Sequence, residues 1–198
     1  MTRHKLKKQV ETTLPTDWGN FKIIAYARKK TEQMPHLAFV TLGPFNKKES
    51  VLVRIHSECM TGDVFHSHRC DCGEQLNAAM KRIQVEGGIL IYLRQEGRGI
   101  GLLNKLKAYR LQDAGLNTAE ANIELGFEQD ARHYGDAITI LTDLGISKIR
   151  LLTNNPLKMD ELQAAGIEVV SREPIIIKPQ PENKGYLDTK REIMGHFL

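Results

Sequence analysis

Aromatic residues are scarce in this chain: one tryptophan, five tyrosines and six phenylalanines make up 6% of 198 residues. Proteins that hold single-stranded nucleic acid stack bases on aromatic faces, and they line the strand's path with basic residues. With few such faces and no long basic stripe, no nucleic-acid partner is expected. Long apolar runs are missing as well. None approaches the roughly 20 residues of a membrane span, and the first eight residues, MTRHKLKK, lack the apolar stretch of a secretory signal. No membrane association is expected, and the cytoplasm is the expected compartment. Internal repeats and low-complexity tracts are also absent.

Cysteine is the most telling scarcity. The chain has three, all in the stretch Cys59-Met-Thr-Gly-Asp-Val-Phe-His-Ser-His-Arg-Cys70-Asp-Cys72. An odd number does not suit a disulfide framework, and Cys70 and Cys72 are awkwardly close in sequence to bridge. In a reducing compartment the thiols stay available to a metal. Three thiolates read as a zinc site with its fourth position open to water, the catalytic arrangement, whereas structural sites close with four protein ligands. His66 or His68, inside the same loop, could supply a fourth ligand and make the site structural. Buried thiols without a metal are the third reading.

At 198 residues with a net charge of +4, the chain fits one domain over 1–198 and favours an anionic ligand of any size. Its first half carries short β-prone runs, Phe21 to Ala27, Leu37 to Leu42 and Val51 to Ile55, with the charged loop Asn46 to Ser50 before the last. From Gly73 the period changes. Leu76, Ala79, Met80 and Ile83 mark one face of a helix that Gly87-Gly88 ends, and Ile89 to Leu93 follows as a buried strand. Helices are expected over Ile100–Asp113, Ala131–Leu144 and Pro156–Ala165, with strands over Ile149–Leu152 and Ile167–Ser171. The fold class is therefore mixed α+β and α/β, a β-rich N-terminal half packed with alternating helices and strands that pair partly in parallel. Residues 172–198, with three of the seven prolines before Gly185, read as an extended or mobile tail ending in a short helix.

Three further segments carry chemistry. Leu93-Arg-Gln-Glu-Gly-Arg-Gly-Ile-Gly101 leaves a strand, turns through glycines and enters a helix; its backbone amides and two arginines suit a phosphate. Leu152-Thr-Asn-Asn-Pro-Leu-Lys158 places Asn155 as an N-cap, Pro156 at the first helical position and Lys158 in the first turn. A lysine there opposes the helix dipole, so it implies an anion or plain solvent exposure. Asp130-Ala-Arg132, at the start of the expected third helix, is by composition an ordinary ion pair. Tyr109 reads as half-buried packing, and His36, His133 and His196 as structural.

Taken together, Arg54-Ile-His-Ser-Glu-Cys59, Thr61-Gly-Asp63, Arg69-Cys-Asp-Cys-Gly73, Arg94-Gln-Glu-Gly-Arg98, Gly101-Leu-Leu-Asn-Lys105 and Leu152-Thr-Asn-Asn-Pro156 resemble GTP cyclohydrolase II of riboflavin biosynthesis. The likeness runs from about Leu14 to His196 and looks like the monofunctional form, with no dihydroxybutanone-phosphate synthase domain in front. It implies hydrolysis of GTP with release of formate and pyrophosphate, giving 2,5-diamino-6-(5-phosphoribosylamino)pyrimidin-4(3H)-one. Relatives that stop at a formamido product share the same motifs, and a non-catalytic, zinc-stabilised nucleotide or RNA module is the competing class. By similarity, Cys59, Cys70 and Cys72 hold one zinc ion per subunit. Nucleotide contacts fall on Arg54, Ile55, His56, Ser57, Glu58, Gln75, Glu96, Gly97, Arg98, Thr118, Thr153 and Lys158, with either Glu58 or Glu96 reading the guanine edge. Asp130 becomes a general base, Arg132 the nucleophile at the α-phosphate, and Tyr109 an assistant near the zinc. A guanidinium is a poor nucleophile, so charge stabilisation is the chemically easier role for Arg132. Magnesium on the triphosphate and a homodimer complete what the resemblance implies. His133, Asp136 and Leu157 depart from the family's usual pattern.

Overall fold

The computed structural model describes residues 5–43, 45–46 and 49–198. The start of the N-terminal segment and part of the charged loop before Val51 therefore lie outside the described residues. Seven strands form one mixed sheet: β1 (Lys7–Thr16), β2 (Gly19–Ala27), β3 (His36–Thr41), β4 (Val51–Ser57), β5 (Gly88–Leu93), β6 (Lys148–Leu152) and β7 (Glu168–Glu173). Their order is β1-β2-β3-β5-β4-β6-β7. The first half of the chain supplies the antiparallel part, and β5, β4, β6 and β7 run parallel. Mixed pairing was the expectation, and the sheet has it.

The helices are α1 (Met60–Asp63), α2 (Cys72–Glu86), α3 (Gly101–Asp113), α4 (Thr118–Glu124), α5 (Gly135–Asp143), α6 (Pro156–Ala164) and α7 (Lys184–Glu192), with a 3₁₀ turn at Glu96–Gly99. Two of them were not anticipated, and one begins elsewhere. The short α4 is announced by a capping box, in which Asn117 accepts from Ala119 and Glu120 while the Glu120 carboxylate accepts from Asn117. The helix expected from Ala131 starts only at Gly135, because Ala131 donates instead to the carbonyl of Arg98 at 3.2 Å. Asp130 and Arg132 thus stand in irregular chain before the helix. Strand β1 also escaped the pattern. It is a sheet edge whose side chains are almost all exposed, so no apolar alternation marks it.

Both faces of the sheet are covered. Val51, Val53, Ile55, Ile89 and Ile91 pack with Ala137, Ile140 and Leu141 of α5 and Leu162 of α6. On the other face Leu52 and Leu90 meet Ala79, Met80 and Ile83 of α2. Along β4 the alternation continues, putting Ile55 in the first core and leaving Arg54 and His56 buried with Leu52's face. Chain leaving β4 returns through α2 to β5 on one side, while chain leaving β6 returns through α6 to β7 on the other. Adjacent strands whose connections part in this way open a crevice at their carboxyl ends. The site lies there.

Asp136, one of the departures from the family pattern, ties the start of α5 to the antiparallel strands. Its carboxylate accepts from Arg28 at 2.6 and 3.1 Å and from His36 Nε2 at 3.0 Å. His36 Nδ1 in turn accepts from the backbone of Arg94 at 2.9 Å, which leaves Nε2 as the donor. The hydrogen bond from His36, and then Arg28, hold the carboxyl down to about 2 against the effect of burial. A carboxyl lowered on folding stabilises the native state above its unfolded value, near 3.9, and loses that contribution as the pH falls through 2. Asp136→Asn is therefore expected to cost about 1 kcal/mol at pH 7, after allowance for screening at the half-exposed Arg28, and far less near pH 2. Urea titrations at the two pH values check this; an equal cost at both would show that the charge is not responsible.

Candidate active site

The crevice is open to solvent and is lined from β4, α2, the glycine turn, α3, the start of α6 and the C-terminal segment. One end is built on sulfur. Cys59 follows β4, Cys70 lies in the loop before α2, and Cys72 is the first residue of α2. Their ligand atoms all lie within 4.8 Å of one another, and the Cys59 and Cys70 sulfurs are 3.6 Å apart. Two thiolates bound at 2.3 Å to a tetrahedral zinc stand about 3.8 Å apart, so the donor set and its spacing fit that ion. No other His, Cys, Asp or Glu of the described residues joins the group. His66 and His68 are exposed and line a second hollow, which shares Cys70 with the crevice.

Close backbone packing makes this spacing possible. A Cβ at Gly62 would stand 2.9 Å from the Cys70 sulfur and 3.2 Å from that of Cys59, and one at Gly73 would meet the carbonyl oxygen of Gly62 at 2.2 Å. Neither position has room for a side chain. The crowded thiols share charge unequally: Cys59 is driven down by hydrogen bonds from Cys70, from Cys72 and from Lys105, whereas donation to Cys59 raises Cys70 to about 11 and Cys72 well above its usual value. A dication bound among the three sulfurs would favour the thiolate form of all of them.

Around the sulfurs lies a set of supports, in which Glu96, His56 and Tyr109 are joined by residues assigned no role from sequence. Lys105 of α3 reaches the Cys59 sulfur at 3.0 Å and Glu96 at 2.8 Å. Glu96 also accepts from the backbone of Met60 at 2.6 Å and Gly97 at 2.8 Å. Both of its oxygens are therefore engaged in holding the glycine turn against α1. Asp63, whose side chain is enclosed, accepts from the Cys59 backbone at 3.0 Å and from Tyr92 at 2.8 Å, and it lies 3.0 Å from His56 Nε2. Burial outweighs Asp63 in lowering His56, which keeps its imidazole neutral. Tyr109 Oη is 3.2 Å from Thr61 Oγ1, itself 3.7 Å from the Cys59 sulfur. Burial raises the Tyr109 hydroxyl, so it remains a donor.

The other end is cationic. Arg54 donates to the Leu152 carbonyl at 3.0 Å and to Gln75 at 2.7 Å, and Gln75 donates to Asp71 at 2.5 Å. Lys158, whose place in a helical first turn implied an anion or solvent exposure, is buried and donates to the Ile55 carbonyl at 2.9 Å. Burial, then Arg54 and Arg132, push its ammonium well below the usual range. Arg98 sits in the left-handed region at φ 61°, a conformation that costs a non-glycine residue on the order of 1 kcal/mol or more. Its Nη2, like Arg54 Nε and His56 Nδ1, is buried without a protein partner. Arg132 makes a two-pronged pair with Asp130, through Nε at 2.7 Å and through Nη2. Burial opposes the charge on Arg132, but Tyr134 and Asp130 outweigh it and hold the guanidinium above its ordinary value; burial likewise opposes Asp130, and Arg132 wins.

Of the residues singled out from sequence, Arg54, His56, Ser57, Glu58, Gln75, Glu96, Gly97, Arg98, Tyr109, Thr118, Arg132, Thr153, Lys158 and the three cysteines line one cleft. Two do not. Ile55 faces the opposite core because strand side chains alternate, and it contributes its carbonyl instead. Asp130 stands behind Arg132. Lys105, Asp63 and Tyr92 were missed; Lys105 had a signal in its place one turn into the helix that follows the glycine turn.

With this geometry in hand, comparison with known proteins is informative. The family model described as GTP cyclohydrolase II matches residues 7–174. The riboflavin biosynthesis protein RibBA of Chlorobium phaeovibrioides is 54% identical over 200 residues, covering all of this chain and 48% of the relative. The protein of the same name from Parabacteroides distasonis is 50% identical over 198 residues, again covering 48% of its own length. The chain thus spans about half the length of the curated relatives it matches. Among solved structures, that of RibBX, a two-domain 3,4-dihydroxy-2-butanone 4-phosphate synthase from A. baumannii, aligns over 89% of this chain and 42% of its own, with a TM-score of 0.50 at 21% identity, a likeness of fold alone. Because the family's match takes in every strand of the sheet and all three thiols, this chain belongs to the GTP cyclohydrolase II family.

Proposed function

We propose that this chain hydrolyses GTP, opening the imidazole ring and releasing formate and pyrophosphate to leave 2,5-diamino-6-(5-phosphoribosylamino)pyrimidin-4(3H)-one, the first step of riboflavin biosynthesis. The observation that carries this reading is the joining of two chemistries in one cleft: a three-sulfur ligand set at one end and Arg54, Arg98, Arg132 and Lys158 at the other. A purine must meet the first while a triphosphate meets the second.

Zinc held by Cys59, Cys70 and Cys72 would supply a Lewis acid that makes water a nucleophile near neutral pH. Lys105 stabilises the Cys59 thiolate, and Tyr109 can donate a proton beside it. Glu58 is the better reader of the guanine edge, since Glu96 has both oxygens engaged while Glu58 uses Oε1 for Arg94 at 2.5 Å. Burial raises the Glu58 carboxyl, as befits a group whose polar partner arrives with the base. Arg98, with a buried donor to spare, and Lys158 suit phosphate oxygens. Arg132, firmly protonated, is suited to offset negative charge that grows on the α-phosphate as pyrophosphate departs, and Asp130 holds its fork in place. That pairing weighs against a nucleophilic guanidinium. It also leaves Asp130 a weak base unless substrate breaks the pair. Magnesium arrives with the triphosphate and neutralises the leaving group. One zinc per subunit and a homodimer are retained from the family resemblance, and a cytoplasmic setting from the reading of the sequence.

The test is incubation of zinc-loaded protein with GTP and magnesium, with formate, pyrophosphate and the pyrimidine resolved by chromatography and mass spectrometry. Formate and pyrophosphate in equal yield with the diaminopyrimidine are expected. Pyrophosphate with a formamido product would mark the shortened reaction, and no turnover at proven zinc content would favour the binding module.

A further inference from the structure

The C-terminal segment brings to the cleft side chains that no motif indicated. Tyr186, Lys190, Met194 and His196 line it beside Arg54, Arg98, Arg132 and Lys158, and all four lie beyond residue 174, where the family model's match ends. The segment is firmly docked. Lys190 donates to Asp71, between two of the cysteines, at 2.7 Å, and its ammonium lies 4.4 Å from the centre of the Tyr186 ring. Asn183 is fully buried. Beyond α7, His196 donates its backbone N–H to the Lys190 carbonyl at 3.0 Å, Phe197 donates to Asn154 at 2.9 Å, and Arg172 stacks on the Phe197 ring at 4.8 Å.

Charge at this wall is unbalanced. Burial, followed by Lys190, Arg132, Lys158 and Arg98, holds the His196 imidazole down at about 3. The acids nearest these cations are already committed: Asp130 to Arg132 through both oxygens, and Asp71 to Lys190 and Gln75. An anionic ligand would offset that surplus, and a chain of phosphates would do so at several points.

We propose that Lys190 and His196 are substrate-binding residues that take the phosphate end of a nucleoside triphosphate, so that the C-terminal segment completes the site and favours ligands with more phosphates. This rests on the reading of the cleft as a nucleotide site. Lys190 carries three donors and gives one to Asp71, leaving others for phosphate oxygens. The neutral imidazole of His196 offers an N–H donor from the last residues of the chain.

The experiment is calorimetric titration of the full, zinc-loaded chain with inorganic tripolyphosphate and, separately, with GMP. His196→Ala and Lys190→Ala are each expected to weaken tripolyphosphate binding about tenfold, the worth of one good charged hydrogen bond, with a smaller loss for GMP. Lys190→Arg is expected to restore most of the affinity. Removal of Lys190 leaves Asp71 buried without its cation; should that variant fail to fold, His196→Ala, which leaves the pair intact, decides alone. Folded variants that bind tripolyphosphate like the parent, or that lose both ligands equally, overturn the proposal. A parent protein that binds neither tripolyphosphate nor GTP would instead overturn the nucleotide reading beneath it.

Discussion

Cys70→Ser is expected to release no measurable formate from GTP, a fall of roughly a thousandfold or more, since a metal's stabilisation of charge is worth several kcal/mol and each 1.4 kcal/mol is a factor of ten. The sulfur it removes is buried and 3.6 Å from that of Cys59. A serine hydroxyl is a far weaker zinc ligand than a thiolate and stays protonated at neutral pH. The remaining pair of sulfurs would hold the ion loosely, so zinc content measured by mass spectrometry should fall together with formate. Circular dichroism guards against a trivial loss of fold, since Asp71 beside this position anchors Lys190. Formate released at the parent rate by metal-free Cys70→Ser protein would sink the zinc-dependent reading.

Arg132→Ala is expected to keep its zinc and to lose pyrophosphate release by two to three orders of magnitude, the usual cost of removing a preorganised group from a developing charge. The guanidinium is nearly enclosed, is paired with Asp130 through two nitrogens, and is held above its ordinary pKa. Arg132→Lys should recover little, because an ammonium cannot reproduce the fork. The alanine variant also strands Asp130, so its melting temperature should drop, and kinetics must be read below that temperature. Unchanged pyrophosphate kinetics in a folded, zinc-bound Arg132→Ala protein would remove Arg132 from the chemistry. Formate release that persists while pyrophosphate release fails would show that the two ends of the cleft work separately.

Much of the fold was legible because it is written in short-range periodicity. Leu76, Ala79, Met80 and Ile83 have the spacing of one helical face, and they do cover one side of the sheet. Val51, Val53 and Ile55 alternate as a strand should. Where the reading failed, local pattern was silent or misleading. Strand β1 has no buried face to alternate, and Asp130 looks like a helix N-cap although the backbone that follows it is drawn off to pair with Arg98. Asn117 with Glu120 did carry the signature of α4, a signal present and unused.

The three thiols in one short stretch, the glycine turn after β5 and the capped entry to α6 are properties of the sequence by itself, since each depends on residue types at close spacing. Which way their side chains face, and what they meet, was decided by the order of strands. From local pattern Lys158 could be an anion ligand or an exposed lysine in a helical first turn; only the adjacency of β4 and β6 buries it against Ile55, 103 residues away. Lys190 meets Asp71 across 119 residues, and Lys105 meets Cys59 across 46. Ile55 turned away from the cleft for the same reason that Arg54 and His56 turned toward it, the alternation of one strand set against two cores. Contacts at such separations depend on how the sheet is assembled, and the cost of ordering the chain between them is met by burial over the whole sheet, which no single motif encodes.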